Sequence, residues 1–110
     1  MSYRQWDLIL VPFPFTDLST IKRRPALIIS PEDYNQSGDL IIAFVTSQIN
    51  VKAKPGDYKI LEWQKSGLPK PSMIRMKFAT IHLSIVVKSF GQLSENDSTN
   101  FKDELIQFFS

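Results

Sequence analysis

The run Pro25-Ala26-Leu27-Ile28-Ile29-Ser30 constrains the fold of this chain most. Its apolar, β-branched content and its length are those of a buried strand. Five more short runs repeat the theme: Asp7–Val11, Leu40–Thr46, Asp57–Trp63, Ser72–Phe78 and Ile85–Phe90. Leu40–Thr46 is apolar almost throughout, which marks a strand buried on both faces. Breakers lie between them: Pro12-Phe13-Pro14-Phe15, the polar turn Pro31–Gly38, a lysine-bearing loop Ile49–Gly56, and Gly67-Leu68-Pro69-Lys70-Pro71. Two prolines in four residues argue against a regular ladder at Pro12–Phe15.

The last segment changes period. Ser94 with Asp97 three residues on resembles a capping box in which Asp replaces the usual Glu. Phe101, Leu105, Phe108 and Phe109 then follow at helical spacing on one stripe. Burying that stripe is worth roughly 6–12 kcal/mol before entropy, at about 1.5–3 per large apolar side chain. Six closely spaced strands and one terminal helix predict a mainly β domain over residues 1–110. The expected form is a strongly bent sheet or partly open barrel with the helix closing one side.

With no cysteine and one histidine, His82, disulfides, thiolate metal sites, multi-histidine metal sites and two-imidazole catalysis are excluded. No apolar run approaches a membrane span, and charges at Arg4 and Asp7 interrupt any signal-peptide pattern. The expected location is cytoplasmic. The net charge of +2 hides an asymmetry: up to Leu93 there are 12 Lys/Arg against 7 Asp/Glu, and from Ser94 onward 1 against 4. A basic body of this kind suits a polyanionic partner.

Three cations, Lys22-Arg23-Arg24, immediately precede the Pro25 strand. Arg24 thus stands where a loop meets a strand, and its planar fork can grip a phosphate with two hydrogen bonds. A solvated basic loop is the plainer reading. Ser72-Met73-Ile74-Arg75-Met76-Lys77-Phe78 alternates apolar with basic and places Arg75 and Lys77 on one strand face, as a phosphate contact or as a solvated edge. Phe13 and Phe15 are either stacking surfaces for unpaired bases or anchors that hold their loop to the barrel.

Taken together, several stretches resemble the MazF/PemK family of toxins from bacterial toxin–antitoxin systems. They are Trp6-Asp7-Leu8-Ile9-Leu10-Val11, Arg24-Pro25-Ala26-Leu27-Ile28-Ile29-Ser30, Tyr34-Asn35, Phe44-Val45-Thr46-Ser47-Gln48 and Thr80-Ile81. The resemblance implies an SH3-like β-barrel with a C-terminal helix, assembled as a homodimer. It also implies a metal- and cofactor-independent endoribonuclease acting on single-stranded RNA. In such a reaction the 2′-hydroxyl attacks the neighbouring phosphorus, leaving a 2′,3′-cyclic phosphate and a 5′-hydroxyl. A cognate antitoxin would cover the RNA groove.

By this resemblance Arg24 grips the scissile phosphate and the Thr46 hydroxyl donates to a non-bridging oxygen as charge grows. Arg75 completes the catalytic set. Lys22, Arg23, Ser47, Gln48, Lys77, Phe13, Phe15 and Asp17 are the expected RNA contacts. Two departures matter. Arg75-Met76-Lys77 carries a lysine where some members have an acid, and an ammonium group cannot accept a proton. Leu18-Ser19 stands where others carry Glu or His-Glu, so Asp17 is the nearest carboxylate. His82 follows Thr80-Ile81 where an aspartate is frequent, and is expected to be satisfied or solvent-facing. The alternative function is a relative that binds RNA or its antitoxin without cutting. The gyrase-poisoning CcdB-like toxins share the fold but end in Trp-Gly-Ile, whereas this chain ends Gln107-Phe108-Phe109-Ser110.

Overall fold

A computed structural model describes residues 2–13 and 22–110, with Phe13 by its backbone alone. The expectations for Phe15, Asp17 and Leu18-Ser19, and for the Phe13 side chain, lie outside the described residues. The elements are β1 (Asp7–Phe13), β2 (Lys22–Ile28), α1 (Glu32–Asn35), β3 (Asp39–Thr46), β4 (Tyr58–Lys59), β5 (Met73–His82), β6 (Lys88–Gln92) and α2 (Glu95–Phe108), with a 3₁₀ turn at Leu83–Ile85. The strands form one sheet in the order β4-β5-β3-β2-β1-β6. All its pairings are antiparallel. The architecture is mainly β: a six-stranded, curled half-barrel sheet with a C-terminal helix.

Strand alternation builds two apolar layers. Leu8, Leu27, Ala43, Val45 and Ile74 face one side, where Phe101 of α2 and Ile60 and Leu68 of the β4–β5 connection cover them. Ile9, Val11, Ala26, Ile28, Ile42 and Phe44 face the other, against Tyr3, Ile81, Leu83 and Val86. The central strands are buried on both faces, as the unbroken apolar run of β3 requires.

Several boundaries differ from the sequence reading. β1 runs through Pro12 to Phe13, pairing Pro12 with Arg23. A proline fits there because β6 pairs with β1 only as far as Leu10. The Leu10 carbonyl accepts from Val87, and since backbone groups alternate sides, the missing N–H of Pro12 points to the same unpaired flank. β2 begins at Lys22, so the three cations belong to the strand rather than to a loop before it. α1 replaces part of the expected turn at 31–38. The fourth strand shrinks to two residues, because 60–67 turn back over the core and β5 pairs only with Tyr58 and Lys59 there. Gly67 lets this connection lie on β6, since a Cβ there would stand 2.2 Å from the Phe90 carbonyl oxygen. β5 continues to His82, and the sixth strand starts three residues late, after the 3₁₀ turn.

Ser94 caps α2, accepting from the Asp97 N–H at 3.1 Å. Asp97 does not complete a capping box. Its fully buried carboxylate accepts from the Tyr58 hydroxyl and from the backbone N–H of Leu61 (3.0 Å) and Glu62 (2.8 Å). Phe101 packs edge-to-face against Trp6 and Tyr58 with no exposed surface. Leu105 is half-buried, while Phe108 and Phe109 are 42 % and 67 % exposed. The stripe is therefore fully enclosed only at Phe101, with Leu105 packed partly against the core, and its burial is worth well under the value expected for four.

Candidate functional site

β2, β3 and β5 bring the candidate catalytic residues together at one end of the sheet. β2 and β3 are hydrogen-bonded neighbours from Ile28↔Ile42 to Ala26↔Phe44, and then the pairing stops. Ile29 donates to Ile41, so by alternation Leu27 and Pro25 also turn their backbone nitrogens toward β3. Pro25 has no N–H to give. The ladder ends there, beside Arg24 on β2 and Thr46 at the end of β3.

β5 contributes through an irregularity. Ala43 pairs with Phe78 but Val45 pairs with Ile74, which leaves two extra residues on β5 opposite Phe44. Such a bulge re-aims side chains. The segment affected holds Arg75, Met76 and Lys77.

The result is a cleft of about 170 Å³ lined by Arg24, Phe44, Thr46, Gln48, Arg75 and Lys77. All three candidate catalytic residues and two candidate RNA contacts meet in it. Arg24 and Thr46 also line a neighbouring cleft of about 250 Å³ that adds Arg23, Ser47, Lys70, Ser72 and Phe90. Arg75 and Lys77 line a third, of about 520 Å³, with Lys54, Asp57 and Phe108. Shared walls at Arg75 and Lys77 join the first cleft to the third in one basic groove, while the second lies toward the opposite face, with Arg23 and Val45. Strand alternation splits the triad: Lys22 and Arg24 share the face of Val11 and Phe44, and Arg23 takes the opposite face. The triad is therefore not one basic rim.

Individual geometry follows from local structure. Half-buried Thr46 accepts from the Gln48 N–H at 3.1 Å through its side-chain oxygen, a turn that orients the hydroxyl and leaves its proton to donate. Arg75 donates from Nη2 to Oδ2 of Asp57 at 3.2 Å, with side-chain exposures of 24 % and 5 %. Lys22 and Lys77 are exposed. His82 is exposed, and its Nδ1 caps the 3₁₀ turn by accepting from the Ser84 N–H at 3.1 Å, the satisfied role expected for it. Ser30 and Asn35, part of the resemblance, are buried and structural. The Ser30 hydroxyl bonds Asn35, whose amide reaches the Tyr3 carbonyl at 3.0 Å.

The sequence reading missed Asp57, Lys70 and Phe90. Pro55-Gly56 announced a turn just before Asp57, but its partner Arg75 lies 18 residues on, across a pairing no local pattern reveals. Among the described residues no three His, Asp or Glu side chains gather to hold a metal ion, and no helix is long and apolar enough to cross a membrane.

A phosphate-sized cleft with guanidinium groups and a hydroxyl donor on its walls suits an anion that gains charge during reaction. Comparison with solved structures places the fold. MazF of Deinococcus radiodurans superposes with a TM-score of 0.75 at 18 % identity, covering 99 % of this chain and 97 % of that one. The Mycobacterium tuberculosis toxin MazF-mt6 gives 0.74 at 17 %, covering 94 % and 95 %. An endoribonuclease from a mycobacterial species, in complex with its cognate antitoxin, gives 0.75 at 13 %, covering 96 % and 93 %. No curated protein sequence matches significantly. The profile of the PemK-like, MazF-like toxins of type II toxin–antitoxin systems matches residues 4–109, and the chain belongs to that family.

Proposed function

We propose that the protein is a metal-independent endoribonuclease that cuts single-stranded RNA in the cytoplasm. The observation that carries this reading is the meeting of Arg24, Thr46 and Arg75 on one open cleft. The RNA's 2′-hydroxyl oxygen forms a bond to the adjacent phosphorus, and the bond from phosphorus to the 5′-oxygen breaks. The 2′-hydroxyl gives up its proton and the leaving oxygen gains one, so a 2′,3′-cyclic phosphate and a 5′-hydroxyl result. The need for a 2′-hydroxyl selects RNA over DNA. Arg24 and Arg75 hold the non-bridging oxygens, and the Thr46 hydroxyl donates to the one on which charge grows. Arg24 serves as a phosphate clamp rather than a proton donor, because a guanidinium scarcely releases its proton. Lys22, Lys77, Ser47 and Gln48 hold the flanking strand.

A second reading, binding without cleavage, draws support from one feature. Lys77 stands where an acid occurs in some members, and the carboxylate lining the groove, Asp57, is engaged by Arg75 and the Lys54 N–H. Incubation with a long single-stranded RNA in EDTA, followed by end mapping, separates the two. Defined cuts with cyclic-phosphate ends, slowed about 10²–10³-fold or more by Arg24→Ala, support the nuclease. Intact RNA that is nonetheless bound establishes the binding protein. An antitoxin that covers this groove, and a homodimer, complete the proposal. Both are checked by mixed-mass measurements of the purified toxin with and without the antitoxin chain.

A further inference from the structure

Asp57 is an odd residue to find in a groove read as binding a polyanion, since its charge repels phosphate. Its surroundings show how firmly it is placed. Asp57 N–H donates to the Lys54 carbonyl at 3.1 Å, and Asp57 Oδ2 accepts from the Lys54 N–H at 2.8 Å, so the turn closes on itself. Gly56 has φ +85°, and a Cβ there would stand 2.4 Å from Met76 Cγ, so the turn presses against the bulged part of β5. From this fixed turn the carboxylate reaches Arg75 Nη2. The Arg75 Nε is buried and finds no acceptor among the described residues. The guanidinium is thus held by one terminal nitrogen, in a side chain that lines both the Asp57 cleft and the cleft of Arg24 and Thr46.

We propose that Asp57 is a positioning residue that aims the Arg75 guanidinium at the RNA phosphodiester. The inference rests on the RNA-groove reading above. A long cation loses rotamer freedom when it binds, and a partner that orders it beforehand removes that cost from binding. Asp57 uses one of the five donors of the fork, which leaves others to meet a phosphate.

The competing physical effect has the opposite sign, which makes the test decisive. If Asp57 acts only as a nearby negative charge, Asp57→Asn strengthens binding of a polyanion. If it aims Arg75, the same change weakens binding. The Lys54 N–H and Arg75 Nη2 share one acceptor, Oδ2, so an asparagine oxygen in that place keeps the turn, and the hold on Arg75 drops from a charge-assisted bond to a weaker neutral one. The probe is a single-stranded 2′-O-methyl oligonucleotide, which has no 2′-hydroxyl to attack, followed by fluorescence anisotropy at fixed ionic strength. The expected loss for Asp57→Asn is roughly three- to tenfold, the worth of ordering one long side chain. In an Arg75→Ala background the same change is expected to have no further effect. Unchanged or tighter binding by Asp57→Asn overturns the proposal, as does a full additional loss in the Arg75→Ala background. Should Arg75→Ala fail to melt cooperatively, the sign of the Asp57→Asn effect decides alone. Failure of the wild type to bind any single strand removes the groove reading itself, a result distinct from binding that Asp57→Asn leaves intact.

Discussion

At the scale of single residues, the chain places its charges by partners far away in sequence. Asp97 is the clearest case. Four residues of local context suggest a cap, yet its carboxylate braces Tyr58, Leu61 and Glu62 against the start of α2, from 35 to 39 residues away. The Tyr58 hydroxyl carries a measurable consequence. Burial first, and the hydrogen bond to Asp97 second, push its pKa from 10.0 up to about 12. In the unfolded chain the phenol ionises near its ordinary value, so between about pH 10 and 12 the folded form binds more protons and stability falls as pH rises. Thermal melts from pH 9 to 11.5 are expected to show a steeper fall for the wild type than for Tyr58→Phe. Parallel slopes would refute this account. Ser94 and His82 were legible because each acts within its own few residues. Asp57 and Asp97 were not, because strand pairing and a folded-back connection bring their partners to them.

At the scale of elements, β strands were more legible than their ends. Alternation and β-branching mark β1, β2 and β3 from the sequence, but the stopping points depend on which neighbour strand is still present, as Pro12 illustrates. α2 teaches a different lesson. Its stripe is real in spacing, but only Phe101 is fully enclosed, while Ile106, Phe108 and Phe109 stay exposed. Periodicity reports which side chains share a face and not how much of that face a partner covers. Phe101→Ala is expected to cost about 3–5 kcal/mol in denaturant unfolding. Ile106→Ala, 58 % exposed, should stay within about 0.5 kcal/mol. Removing everything after Ser98 takes Phe101 with it and should abolish the cooperative melt. A truncated chain that still melts sharply would show that the sheet folds without its helix.

At the scale of the whole molecule, the cleft lies beside the point where the β2–β3 ladder stops. The bent sheet with a terminal helix was readable from six short runs and one change of period. That the rims of β2, β3 and β5 converge was not readable, since it depends on a two-residue bulge and on where pairing stops. Pro25 is the residue at which the β2–β3 pairing stops. A non-proline at this position would offer β3 one more N–H, and the strands could zip a further pair across the gap between Arg24 and Thr46. Pro25→Ala gains that hydrogen bond, worth about 0.5–1.5 kcal/mol, and loses a similar amount through a looser unfolded chain. Its melting temperature should therefore move by only a few degrees while RNA binding and cutting fall sharply; full function in a normally stable Pro25→Ala protein would refute the idea. Proline here trades a stitch of sheet for access. Selection for stability alone would close the groove, and so the position should resist the stabilising substitutions that the rest of the chain accepts.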